Sequence, residues 1–308
     1  ETSEGGTVPK LTLVNKADRP VLLVDGEQLI GCKQNRILNL TILAPAYSET
    51  SIPVSCVEQG RWRYDSAQFR DSGQSLYAGL RAKKAVQVSR SLASHGAPLA
   101  SQGEIWADLS MKSERLGSSS STGAMSGIFE RRESEVRKYV KAARWQPAQV
   151  GALFSINGRF VGIELFDSDT TCSKYLEKIA SGFALDAIDY FTPVYAVATV
   201  DEARRFLERV VTAEQARFDA VGLGDDVRLD GEACAGAALV LFRRFVPDVV
   251  LPGIKSEGIT MFFAVPTIYI ALLNANLPKK ALASIRYFFS AASTMPEEIS
   301  RRWTDAYG

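Results

Sequence analysis

Histidine is nearly absent: the chain holds one, His95, and that scarcity excludes much chemistry. Triads built on a positioned imidazole and multi-histidine zinc sites are not expected. His95 lies in the loop-like stretch Ser94 to Pro98, where an imidazole is solvated. The four cysteines, Cys32, Cys56, Cys172 and Cys234, are too far apart for a CxxC knuckle or redox pair. Cys172 sits near a helix start, where thiolates are stabilised, but buried packing is the better reading. No metal site is expected. Net charge is scarce too: 36 basic against 35 acidic residues give +1. Neither nucleic acid nor an anionic membrane is an expected partner.

No signal-peptide pattern opens the chain, so a reduced cytoplasm is the expected location. The sequence begins with Glu1 and ends at Gly308 after a helix-like stretch, which reads as a fragment or processed product at one or both ends. One stretch, Gly258 to Pro278, carries no charge and is long enough to raise a membrane helix. Pro266 interrupts it, and Asn274 and Asn276 lie near its end. A buried strand followed by a buried helix is the better reading, and no membrane partner is expected.

What is present is a globular composition. The 308 residues are 46% hydrophobic and 23% charged, enough for one large domain or two ordinary ones. The first 60 residues alternate as sheet. Leu11 and Leu13 share one face; Val21 to Val24 and Gln28 to Ile30 flank an Asp25-Gly26 turn; Leu38, Leu40 and Ile42 face one way; Ile52, Val54 and Cys56 repeat the pattern. Helices are predicted over 77–92, 104–116, 133–145 and 174–188, with a hairpin across Asn157-Gly158. Thr199 and Glu202 form a capping box ahead of another helix. Strands are predicted near 218–221, 227–229 and 237–241. Strands followed by helices with interleaved hairpins argue α+β, with an antiparallel or mixed sheet, over residues 1–240.

After Val240 the character changes. A helix over 246–255, apolar strands at 259–265 and 285–291, and helices at 267–273 and 296–307 make a βαβα pattern. Strands apolar on both faces belong in a parallel sheet covered on both sides. Residues 241–308 therefore read as an incomplete α/β fragment that lacks the rest of its sheet. Association through this apolar tail is expected.

Two early segments carry candidate chemistry. Lys33, Gln34, Asn35 and Arg36 enter a strand as four consecutive polar side chains, a set suited to phosphate or carboxylate. Glu58, Gln59, Arg61, Trp62, Arg63 and Tyr64 bring a carboxylate, two guanidiniums and two rings to a strand end. Rings beside guanidiniums can stack a base or sugar, and Glu58 is the candidate base, with Glu27 as an acid–base partner. The alternative is that these residues pair with one another and rim the sheet, as a structural or protein-interaction module would use them. Basic residues from Arg131 to Arg144 alternate with Glu130, Glu133 and Glu135, which marks a solvated helix face.

The segments at 20–39 (PVLLVDGE, then GCKQNRILN) and 52–64 (IPVSCVEQGRWRY), with Gly231 to Val240, resemble a bacterial family associated with ADP-ribosylglycohydrolases and rhodanese-like phosphatases. The resemblance covers roughly residues 8–240. It implies a link to NAD-derived nucleotides but no settled reaction or cofactor. A small anionic, nucleotide-like metabolite is the expected ligand.

The tail segments FVPDVVLP from Phe245, GITMFFAVPTIYIALLN from Gly258 and SIRYFFSAAS from Ser284, with 296–308, resemble AMP-forming acyl-CoA synthetases. That family's phosphate-gripping Ser/Thr/Gly loop with its Lys, its aromatic-Gly-x-Thr-Glu segment and its lid domain have no counterpart in these 308 residues. The serine-rich stretch Ser118 to Gly127 carries no Lys and lies in the other family's territory. Nothing in the tail can neutralise a pyrophosphate leaving group, so no ATP–pyrophosphate exchange is expected of it.

Overall fold

A computed structural model describes residues 9–118, 120–192, 196–231, 234–235, 251, 254, 259–275, 277–290 and 295–307. The N-terminal alternation resolves into seven strands: β1 (Lys10–Asn15), β2 (Val21–Leu23), β3 (Glu27–Ile30), β4 (Arg36–Leu38), β5 (Ile42–Ala44), β6 (Ser48–Cys56) and β7 (Arg70–Ser75). Five of them form an antiparallel sheet in the order β1-β6-β4-β3-β7, while β2 pairs with β5. One core gathers Leu11, Leu38, Leu40, Ile42, Ile52 and Val54 of these segments beneath Val88 and Leu92 of α1 (Ala78–His95).

The second core lies among α1, α2 (Gln102–Arg115), α3 (Met125–Arg131) and α5 (Asp169–Asp189), with α4 (Glu133–Ala142) at its edge. Ile37, Tyr77, Ile105, Met125, Ile128 and Leu185 are almost wholly enclosed there. Strands β8 (Gly151–Ile156) and β9 (Arg159–Leu165) form the expected hairpin, with Asn157 and Gly158 both at positive φ. Helix α6 (Val200–Val211) carries the predicted capping box at Thr199 and Glu202. Beyond it β10 (Glu214–Asp219), β11 (Asp225–Gly231) and β12 (Cys234–Ala235) pair antiparallel. The predicted strand at 237–241 and most of the predicted helix at 246–255 lie outside the described residues.

β7 and α3 form where the sequence predicts no element, and the strand expected near 218–221 lies at Glu214–Asp219. Two further features differ in how the strands are joined. The strands flanking Asp25-Gly26 do not pair with each other. The turn forms, with Gly26 at φ +82, but β2 joins β5 while β3 joins β4 and β7. The run from Leu38 to Ile42 is also two strands rather than one. Both breaks have one cause. Lys84 of α1, wholly enclosed, donates to Asp25 and to the carbonyls of Leu38 and Asn39. Thr41 Oγ1 accepts from the Asp25 N–H, and Asn39 donates to the Pro98 carbonyl. A buried ammonium needs several acceptors, and the chain turns to supply them.

The tail forms β13 (Met261–Ala264), α7 (Pro266–Asn274), β14 (Tyr287–Ser290) and α8 (Glu297–Tyr307). Its two strands pair parallel, and only with each other among the described residues. Its core, with Ile254, Tyr269, Leu272, Leu282 and Trp303, is drawn from residues 251–307, whereas the other three clusters are drawn from residues 11–221. Tyr287 and Phe289 stand exposed on β14, as expected of a sheet that lacks its covering layer. The uncharged stretch divides at Pro266, the first residue of α7. No described helix is long and apolar enough to cross a membrane.

Candidate functional site

The turn 31–35, between β3 and β4, depends on two unusual backbones. Gly31 has φ +130, and a Cβ there would stand 2.4 Å from Ser66 Oγ and 2.7 Å from the Gln68 carbonyl. Cys32 follows at φ +46. The turn is thereby pressed against the segment that follows Glu58.

Glu58, 4% exposed, is the hub. Its Oε2 accepts from the Asn35 N–H at 3.1 Å and from Arg61 Nε at 2.8 Å. Its Oε1 accepts from Thr122 Oγ1 at 2.9 Å. Burial pushes the carboxyl up, but the bonds from Arg61, Thr122 and Asn35 outweigh burial and hold it below the usual carboxylate range. Arg61 also donates to the carbonyls of Cys32 (2.7 Å) and Gly31 (3.2 Å) and to Asn35 Oδ1 (2.9 Å). Gln34 Nε2 donates to the Glu58 carbonyl at 2.9 Å, and Arg36 donates to Gln34 Oε1 at 3.1 Å. The serine-rich loop closes the network from the far side. Gly60 N–H donates to the Thr122 carbonyl at 2.7 Å, and Glu58 bridges Ala124.

The predicted residues therefore divide into two groups. Gln34, Asn35, Arg36, Glu58 and Arg61 are brought together and bond one another. Trp62, Arg63 and Tyr64 lie outside on the surface, with Trp62 55% and Tyr64 65% exposed. Lys33, partly buried, holds its ammonium 5.1 Å from the Tyr64 ring. Glu27, the acid weighed as Glu58's partner, instead pairs with Lys178 at 2.5 Å and accepts from the Val24 N–H. Cys172 is buried, and burial raises its thiol, the opposite of an activated thiolate. His95 is exposed, its ring bonded to Ser94. No metal-ligating cluster occurs among the described residues.

Beside this network opens a cavity of about 410 Å³, lined by Ile30, Asn35, Glu58, Arg61, Asp65, Ser72, Gln74, Ser126 and Glu130. That volume is in the range of small-molecule sites. Five lining residues are not among the predicted site residues: Asp65, Ser72, Gln74, Ser126, from the serine-rich stretch, and Glu130, which the charge alternation places on a solvated helix face. They arrive from the loop before β7 (Asp65), from β7 (Ser72, Gln74) and from α3 (Ser126, Glu130), and no local spacing links them. The charged groups on the wall are three carboxylates and one guanidinium, and the guanidinium is already bonded to Glu58. The cavity is acidic and rich in hydroxyl and amide groups.

No solved structure matches this chain. Residues 231–308 match the family described as AMP-binding enzyme. Over 100 residues the chain is 30% identical to a benzoate–CoA ligase of Thauera aromatica. That alignment takes in 32% of this chain and 19% of the ligase, so the chain spans about a fifth of that relative's length. Residues 1–250 match a different family, and they hold the cavity and every residue of the Glu58 network. On that match the chain belongs to the family described as ARG and Rhodanese-Phosphatase-superfamily-associated Protein domain.

Proposed function

We propose that residues 1–240 form a unit that binds a small nucleotide-like metabolite in the cavity beside Glu58, and that 241–308 are a separate, partial unit that does not contribute to it. One observation carries the reading: a cavity of nucleoside size is walled by carboxylates, hydroxyls and amides, and the exposed rings of Trp62 and Tyr64 adjoin its wall residues Arg61 and Asp65 in sequence. Sugar hydroxyls donate to carboxylates, so the ribose is placed against Asp65 and Glu130, which line the cavity at exposed positions. A phosphate there would meet two like charges, so it is placed away from them. Lys33 and Arg63 lie within two residues of the wall residues Asn35 and Arg61 and supply cations for the phosphate, and Trp62 and Tyr64 offer stacking faces worth about 1–3 kcal/mol per base. Glu58 is a poor proton acceptor, because its lowered carboxyl is held by Arg61, Thr122 and Asn35. Its part is to position the Asn35 and Arg61 walls.

A second reading has one observation of its own. Arg36, Arg61, Gln34 and Glu58 are engaged with one another, as they are in a purely structural module. Calorimetric titration of the full chain with ADP-ribose, AMP and ribose 5-phosphate separates the two. The ligand reading expects heat with ADP-ribose. It also expects about 10–100-fold weaker binding when Asp65→Asn and Glu130→Gln are combined, and about 5–10-fold weaker binding in Trp62→Ala. All three positions are exposed, so the fold is retained. No heat with any of the three compounds, or unchanged affinity in both variants, favours the structural module.

A further inference from the structure

Helix α3 carries two wall residues of the cavity, Ser126 and Glu130, which are four apart and share one face. It is a weak support by itself. It has seven residues, and its N-cap, Ala124, makes no side-chain cap bond. Two turns of helix are not stable alone. Met125, Ile128 and Phe129 bury its other face. Apolar contact is non-directional, however, and does not by itself fix how near Glu130 stands to the opposite wall.

The start of α3 is fixed by the strap before it, residues 120–125, laid along the chain that follows β6. The Met125 N–H donates to the Val57 carbonyl at 3.0 Å, which satisfies a helix-start donor that no cap satisfies. The Gly60 N–H donates to the Thr122 carbonyl at 2.7 Å. Thr122 Oγ1 donates to Glu58 Oε1 at 2.9 Å, a charge-assisted bond to a carboxylate that itself lines the cavity. The approach is close: a Cβ on Gly60 would stand 3.0 Å from Thr122 Cα. On the reading that this cavity binds a ribose-bearing metabolite, we infer that Thr122 is a positioning residue. Its hydroxyl, bonded to Glu58, holds the α3 wall where Glu130 meets the ligand. Asp65 is placed from the other side, its N–H bonded to the Cys32 carbonyl at 3.0 Å. The effects of Thr122 and Glu130 on affinity are therefore coupled, and those of Thr122 and Asp65 are additive.

Calorimetric titration of the full chain with ADP-ribose tests this. Thr122→Val is expected to bind about 5–10-fold more weakly, and Thr122→Ser, which keeps the hydroxyl, to restore affinity to within about 2-fold of wild type. Glu130→Gln is expected to cost about 5-fold in the wild-type chain and under about 2-fold in the Thr122→Val chain, whereas Asp65→Asn costs the same in both. Gly60→Ala, which presses the strap away with the hydroxyl in place, serves if Thr122→Val does not fold, and is expected to show the same coupling. A Glu130→Gln cost equal in both backgrounds overturns the inference, and a strap that only stabilises the fold gives that result. So does Thr122→Ser binding as weakly as Thr122→Val. Amide exchange of the ligand-free chain separates the strap from the ligand reading beneath it. If wild type binds no ADP-ribose, that reading fails and the role in affinity with it. Faster exchange of 124–131 in Thr122→Val than in Thr122→Ser then still supports a strap that holds α3, and equal exchange rejects that as well.

Discussion

Arg61→Ala is expected to lower the unfolding free energy by about 3–5 kcal/mol at pH 7, the usual cost of leaving a buried charge without its partner. The side chains of Arg61 and Glu58 are only 10% and 6% exposed, so water cannot replace what is lost. The substitution removes four anchors at once: Glu58, Asn35 Oδ1 and the carbonyls of Gly31 and Cys32. The sign of the pH dependence follows from Glu58. Its folded carboxyl titrates below its unfolded value of about 4.3. The stability it contributes is complete above that pH and is lost as pH falls through the folded value. Without the guanidinium, burial drives the carboxyl up again. The deficit is then largest at neutral pH and narrows toward pH about 4. Urea unfolding followed by tryptophan fluorescence at pH 7 and 4.5 measures both effects. A loss under about 1 kcal/mol at pH 7 would mean that the network is ornamental.

The second large effect is expected of Lys112→Met, far from the cavity. Lys112 is 1% exposed and joins α2 to α5 through Asp186 (2.5 Å) and Asp189 (2.9 Å), under the Tyr77 ring at 4.2 Å. Arg115 keeps Asp189 company, but among the described residues Asp186 retains the Gly79 N–H alone. A loss of about 3–5 kcal/mol at pH 7 is expected. Burial already raises the Asp186 carboxyl, despite Lys112, Gly79 and their bonds. A carboxyl raised in the folded state destabilises above its unfolded value of about 3.9, increasingly until the folded value is reached. Losing Lys112 raises it further and widens that window. The variant is therefore expected to lose stability from pH 4 to pH 7 relative to wild type, and Asp186→Asn in the same chain to recover part of the loss. Thermal melts across that range check it; parallel curves contradict it.

Local features were legible in the sequence because their causes are local. Asn157-Gly158 needs only positive φ at two positions, and Thr199 with Glu202 caps a helix from within four residues. The parting of β2 from β3 was not legible, because it follows from Lys84 reaching down from a helix 59 residues later. The site was half legible for the same reason. The polar strings at 33–36 and 58–64 announced themselves as a cluster. Nothing in them said that Arg36 and Arg61 would turn inward while Trp62 and Tyr64 turned out. Asp65, Ser72, Gln74, Ser126 and Glu130 become neighbours only once α3 and β7 are in place. In the tail, the apolar strands were plain, and Tyr287 and Phe289 stand exposed on a sheet that has two strands among the described residues.

Hydrogen exchange of the full chain, free and with 1 mM ADP-ribose, followed peptide by peptide, tests where this protein holds a ligand. Slower exchange is expected in peptides covering 30–36, 58–65, 70–75 and 124–131, with residues 261–307 unchanged. Protection confined to 261–307, or none in the four segments at saturating ligand, would contradict a binding cavity beside Glu58.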